Sequence, residues 1–418
     1  MRPLTGGHIV SQYLDIKNEE YKSFKSQIQD QINEARLETR ELYAQLEQIK
    51  IKKRDNDLCH MAKDIPNLAK GRFNIKPLNV LKGHKNKIAD FSWSQNSKKI
   101  ISASQDGYII IWDSETGLKK NAIPLESKWV LSSALSPTGK LAASAGLNNN
   151  CTIYRVPTTE PINQHIVAIF KGHTGYISGV EFIDEPQVVT SSGDMTCALW
   201  DINKSKRIRE YSNHLGDVLA LTVPKPVSGK TDTFASCGSD GYTYFWDTRS
   251  AAAIQHFAIN ERDVNCIQYF KDQNSIAIGN DEGTVVLFDM RADCPIASYS
   301  VNDPNSSRQK EHTFISSTEL KWGSSSSSSP RTPISLFSHC FEDRGVVSLD
   351  FSISGRLMYA CYINLGCIIW DTLKGEVVGT LEDQGQKFSG VRTSPDGLAI
   401  CTGSWDQYLK LWSPKYMS

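Results

Sequence analysis

Two periodicities divide the chain. Between residues 17 and 53 there is no Pro and no Gly, and Tyr21, Ile28, Ala35, Leu42 and Ile49 recur every seven residues. Phe24, Ile32 and Leu46 fall on the adjoining flank, and most other positions are Glu, Gln, Lys or Arg. These are good helix formers, and the spacing predicts a long helix over 17–55 with one apolar stripe on a charged surface. From about residue 75 this period gives way to short β-rich segments, each ending on an aromatic and often followed by Asp: Trp112-Asp113, Tyr154, Trp200-Asp201, Trp246-Asp247, Phe288-Asp289, Trp370-Asp371 and Trp412.

The spacings between these aromatics are 42, 46, 46, 42, 82 and 42 residues. The long interval is one repeat plus an insertion of about 40 residues, so the period is that of seven propeller blades. A second register agrees with the first. Six positions before each closing aromatic stand Asp106, Asn148, Asp194, Asp240, Glu282, Asn364 and Asp406, the residue types that fix a tight turn by bonding nearby backbone N–H groups. Too few residues follow Trp412 to complete a four-stranded blade. The segment NIKPLNVL at 74–81 is the natural donor of the missing strand, and sealing first to last removes the exposed sheet edges.

The expected architecture is all-β: a seven-bladed β-propeller over 74–418, preceded by a disordered N-terminus at 1–16, the helix at 17–55 and a connector at 56–73. A helix packed on its own domain is the alternative reading of the stripe. A propeller rim is complete without one, so the stripe points to a coiled coil with a second chain. Residues 303–340, within the sixth repeat, carry GSSSSSSPRTP from Gly323 to Pro333. That composition cannot form a core and predicts a disordered insertion. Ser329 and Thr332 in it precede prolines and are candidate phosphoacceptors.

Composition narrows the function by exclusion. Formal net charge is zero, so no global field favours nucleic acid or an anionic membrane. The cysteines are scattered without a C-x-x-C pair, and neither a signal-peptide core nor a membrane-length apolar run occurs, which predicts a cytoplasmic protein. The sequons at Asn150, Asn203 and Asn305 are then chance matches. Gly229-Lys230-Thr231 ends like a phosphate loop, but Pro224 stands where its first Gly is required. Neither H-E-x-x-H nor G-x-S-x-G occurs, and no metal or cofactor set is legible. The chain reads as a binding protein with no catalytic residues.

Register then points to a face. The position three after each blade's opening His, or its equivalent, holds Lys87, Trp129, Tyr176, Asp217, Asp263 and Lys387. The position just before each turn acid includes Leu147, Asp281 and Trp405. Equivalent positions lie on one end of the ring, and Trp, Tyr and charged side chains there are what interface hot spots are made of.

Gly83-His84, Gly172-His173 and Asn213-His214 open the fuller repeats, which resemble the WD-repeat family. That resemblance implies a hydrogen-bonded chain of His, strand Ser, turn Asp and closing Trp inside a blade. The stretches ISASQDGYIIIWD (101–113), GLNNNCTIY (146–154), GHTGYIS (172–178), TSSGDMTCALWDI (190–202) and GSWDQYLKLW (403–412) resemble more narrowly the β subunit of heterotrimeric G proteins, of the fungal pheromone-response type. The resemblance implies a gamma subunit coiled on Tyr21, Phe24, Ile28, Ile32, Ala35, Leu42, Leu46 and Ile49. It also implies a GDP-bound alpha subunit, and after its release effector kinases and scaffolds, on Lys87, Trp129, Leu131, Leu147, Tyr176, Asp217, Asp263, Asp281 and Trp405. Tyr108 and Ile110 would meet the alpha N-terminal helix on the flank of blade one. Ala89, Tyr108 and Asp383-Gln384 depart from the family's usual residues. Attachment to the inner face of the plasma membrane would come through lipidated partners, since no C-a-a-X box ends the chain. A WD-repeat scaffold or ubiquitin-ligase receptor without a G-protein partner, and a propeller enzyme, are the competing readings.

Overall fold

The structure is a computed structural model that describes residues 58–68, 75–157, 165–224, 232–258, 262–301, 345–381 and 387–414, with six single positions between 31 and 45. The chain divides into two units, one of residues 1–56 with 307–332 and one of 57–306 with 333–418. In the first unit Gln31, Glu34, Glu38, Glu41, Leu42 and Gln45 are helical and exposed. The other residues of the predicted stripe, and the insertion carrying Ser329 and Thr332, lie outside the described residues.

The second unit holds seven four-stranded antiparallel sheets. Blade one runs from strand Ile88–Trp93 to strand Lys119–Pro124, and blade two from Val130–Leu135 to Ile166–Lys171. Blades three to six begin at Ile177, Val218, Val264 and Val346. Blade seven is completed from the other end of the chain: strand Ile75–Lys82 pairs antiparallel with Tyr408–Pro414, with Ile75 opposite Pro414 and Lys82 opposite Tyr408. The insertion leaves after strand Cys294–Ser300, the outermost of blade five, and returns at strand Val346–Phe351, the innermost of blade six. It therefore lengthens a connection between blades and interrupts no sheet.

Five of the seven turn residues do what their chemistry predicts, while in blade five Asn280 Oδ1 rather than Glu282 takes the bond, from Thr284 N at 2.9 Å. Asp106 Oδ1 accepts from Tyr108 N at 3.0 Å, and the same bond recurs from Thr196 N to Asp194, Tyr242 N to Asp240 and Tyr408 N to Asp406. The residue between the acid and the donating N–H adopts positive φ, which Gly107 and Gly241 supply without steric cost and Met195 adopts at 67°.

Apolar residues gather between adjacent blades, where the faces of neighbouring sheets meet. Leu81, Phe91, Ile110, Trp112, Leu409 and Leu411 form the cluster joining blade seven to blade one. The closing aromatics Trp112, Tyr154 and Trp246 are fully buried. Of the eight cysteines whose side chains are described, seven are buried too, in keeping with their reading as small hydrophobes.

The implied hydrogen-bonded chain is present in blades one, three and four. Trp112 Nε1 donates to Ser102 Oγ at 2.8 Å, Ser102 Oγ meets His84 Nε2 at 2.8 Å, and His84 Nδ1 meets Asp106 Oδ2 at 2.9 Å. Because the indole only donates and the carboxylate only accepts, the direction is fixed: Trp to Ser to His to Asp. Blade three repeats it with Trp200, Thr190, His173 and Asp194, and blade four with Trp246, Ser236, His214 and Asp240. Burial would push Asp194 up, but the bonds from His173, Thr196 and Thr174 outweigh it and hold the carboxyl below its ordinary value. These histidines are structural.

Candidate binding face

Each blade's innermost strand begins just after a residue whose carbonyl accepts a bond from the N–H that follows the second strand. The pairs, acceptor first, are Lys87 and Gln105, Trp129 and Leu147, Tyr176 and Gly193, Asp217 and Ser239, Asp263 and Asp281, Gly345 and Ile363, and Lys387 and Trp405, with N–O distances from 2.9 to 3.2 Å. The two registers picked from the sequence are thus opposite sides of one hydrogen-bonded ring at a single mouth of the propeller. Gly345 and Ile363 complete it in blade six; the long interval between repeats five and six hid them, although Ile363 stands just before the turn residue Asn364.

Trp129, Leu147 and Trp405 are exposed at this mouth, at 59%, 50% and 50%. Asp263 and Asp281 are exposed, while Lys87, Leu131, Tyr176 and Asp217 are half-buried. Charge is segregated around the ring. In blades one and seven the Lys87 ammonium stands 4.5 Å and the Lys387 ammonium 5.4 Å from the centre of the Trp405 ring, within reach of the attraction between a cation and an aromatic face. In blades four and five the ring carries Asp217, Asp263 and Asp281, with Asn265 Nδ2 donating to Asp281 Oδ1 at 3.2 Å. Between these halves Tyr176 reaches across the seam of blades three and four, its hydroxyl donating to Asp217 Oδ2 at 3.0 Å. Burial first, and then that carboxylate, push the phenol up to about 12.

The flank residues divide. Tyr108, at the start of the third strand of blade one, is 46% exposed. Ile110 does not join the surface: it is 1% exposed, packed in the cluster between blades seven and one. The opening loop of the blade lies over it, and a Cβ at Gly83 would come within 3.6 Å of its Cδ1. Of the predicted gamma-facing residues only Leu42 is described, and it is 58% exposed. Among the described residues no group of three His, Cys, Asp or Glu is placed to hold a metal.

The description "G protein beta WD-40 repeat protein" matches residues 29–309, and "WD domain, G-beta repeat" matches 375–413. The chain belongs to the G protein β-subunit family. It is 52% identical over 412 residues to a guanine nucleotide-binding protein subunit beta of Saccharomyces cerevisiae, covering 98% of this chain and 97% of that one. It is 34% identical over 348 residues to the corresponding subunit of Oryza sativa subsp. indica, covering 80% and 82%, and 33% identical over 349 residues to subunit beta-5b of Danio rerio, covering 82% and 78%. Around this one mouth the chain thus carries exposed indoles beside ammoniums and carboxylates.

Proposed function

We propose that this chain is the β subunit of a heterotrimeric G protein, joined to a gamma subunit through residues 17–55, and that its ring holds a GDP-bound alpha subunit. The observation that carries the reading is the exposure of Trp129 and Trp405 on the same hydrogen-bonded ring as Tyr176, in a chain of this family. Large aromatics fixed at a loop mouth and rimmed by charge are the makings of a hot spot. When GTP reshapes alpha, its affinity for the ring falls and the same side chains become available to effector kinases and scaffolds. Differential affinity for the two alpha states couples nucleotide to release. The 52% identity to the yeast subunit over nearly the whole chain favours the fungal pheromone-response setting, with lipidated partners bringing the dimer to the plasma membrane.

Co-expression with a gamma subunit tests this. A soluble one-to-one β-gamma dimer that binds GDP-loaded alpha, and loses it when the alpha is loaded with a non-hydrolysable GTP analogue, is the expected result. Good yield of folded chain without gamma, and no alpha binding, would favour the scaffold reading.

A further inference from the structure

At the ring position that follows the second strand, six blades carry a side chain: Gln105, Leu147, Ser239, Asp281, Ile363 and Trp405. Blade three carries Gly193. Its backbone is not the reason, since Gly193 is not among the residues with positive φ, and so adopts a conformation open to any L residue. The reason is on its surface. A Cβ there would stand 2.7 Å from Tyr176 Cδ1 and 2.8 Å from Tyr176 Cζ, and closer still to Cε1, distances at which the ring must move.

Tyr176 is therefore laid over the bare backbone of Gly193 and anchored at both ends. Its carbonyl accepts from Gly193 N at 2.9 Å, and its hydroxyl donates to Asp217 Oδ2 in the next blade at 3.0 Å. A side chain at 193 would lift the ring and pull the hydroxyl off Asp217. We infer that Gly193 is a positioning residue for the binding face: its lack of a side chain sets the orientation of Tyr176, and through it the Tyr176–Asp217 bridge offered to a partner. The inference rests on the reading of the ring as the alpha-binding face. It adds a determinant that makes no use of its own side chain.

The test is a double-mutant cycle in the β-gamma dimer, with binding of GDP-loaded alpha as the readout and Trp129→Ala as the control for the face itself. Gly193→Ala is expected to weaken binding tenfold or more, and Tyr176→Ala to weaken it at least as much. The double variant should bind no more weakly than Tyr176→Ala alone, because once the ring is gone an alanine at 193 has nothing to displace; a merely structural defect would not vanish in that background. Wild-type binding by Gly193→Ala, with Trp129→Ala impaired, overturns the inference and leaves the face intact. A Gly193→Ala loss that persists in full on top of Tyr176→Ala overturns it as well. Wild-type binding by Trp129→Ala, Tyr176→Ala and Gly193→Ala together overturns the reading of the face on which it stands.

Discussion

Lys87 and Trp405 lie far apart in sequence, yet the lysine ammonium of blade one stands 4.5 Å from the centre of the indole of blade seven. The pair crosses the seam where the ring closes. Trp405→Ala in the β-gamma dimer is expected to cost about 2 kcal/mol of alpha binding, roughly thirtyfold in Kd. Lys87→Ala should cost less, and its effect should shrink as salt rises, since an ammonium in contact with solvent is screened. Titration calorimetry at low and high salt separates the two, and wild-type affinity for Trp405→Ala would remove this seam from the interface.

The His84 chain predicts a pH dependence. Burial lowers the imidazole below its ordinary 6.5, against the opposing pull of Asp106. The unfolded histidine thus binds a proton more readily than the folded one, and unfolding takes one up below pH 6.5. Stability from this group is intact above pH 6.5 and declines as pH falls further. Urea midpoints should drop between about pH 7 and about pH 5, and the drop should be shallower in His84→Asn, a variant less stable throughout.

Blade six keeps the closing Trp but has lost its acceptor. Trp370 Nε1 is buried with only the Tyr362 hydroxyl near it, too poorly placed for a well-formed hydrogen bond, and Ala360 stands ten residues before it, where blades one, three, four and seven carry Ser102, Thr190, Ser236 and Thr402. Ala360→Ser is expected to stabilise the propeller by about 1 kcal/mol, the net worth of one buried hydrogen bond. A higher urea midpoint with unchanged slope is the readout. A lower midpoint would mean that the core cannot admit the oxygen.

The strand Ile75–Lys82 is the outermost strand of blade seven. A chain beginning after residue 82 leaves Tyr408–Pro414 as an unpaired edge with Leu409 and Leu411 behind it. Exposed edges pair with other chains, so this truncation should aggregate in size-exclusion chromatography. Supplying a peptide of residues 74–82 should restore part of the monodisperse fraction.

Much of this was legible because the sequence repeats itself. A closing aromatic and an acidic or Asn turn residue six positions earlier locate every blade, an opening His marks three of them, and equivalent positions must share one end of a ring. The seam strand was readable from a shortage of residues after Trp412. Two things were not. Ile110 follows Tyr108 by two positions and so shares its side of the strand, but nothing local says that the loop at Gly83 lies across one and leaves the other bare. Gly193 reads as an ordinary turn glycine until the Tyr176 ring is seen against it. Both depend on segments brought together by the fold, which spacing along one strand does not report.

The pairing of Ile75 with Pro414 also sets a timetable. Strand Ile75–Lys82 leaves the ribosome long before its partner Tyr408–Pro414 is made. Roughly 330 residues, on the order of half a minute of synthesis, separate the two. Through that interval the early strand has no native neighbour to pair with, and the last blade cannot be finished. The helix expected just before it emerges sooner still. A gamma chain that coiled on that helix during translation would meet the protein before its ring exists, and assembly of the dimer and closure of the propeller would then be successive steps, with strand Ile75–Lys82 unpaired until Tyr408–Pro414 is made.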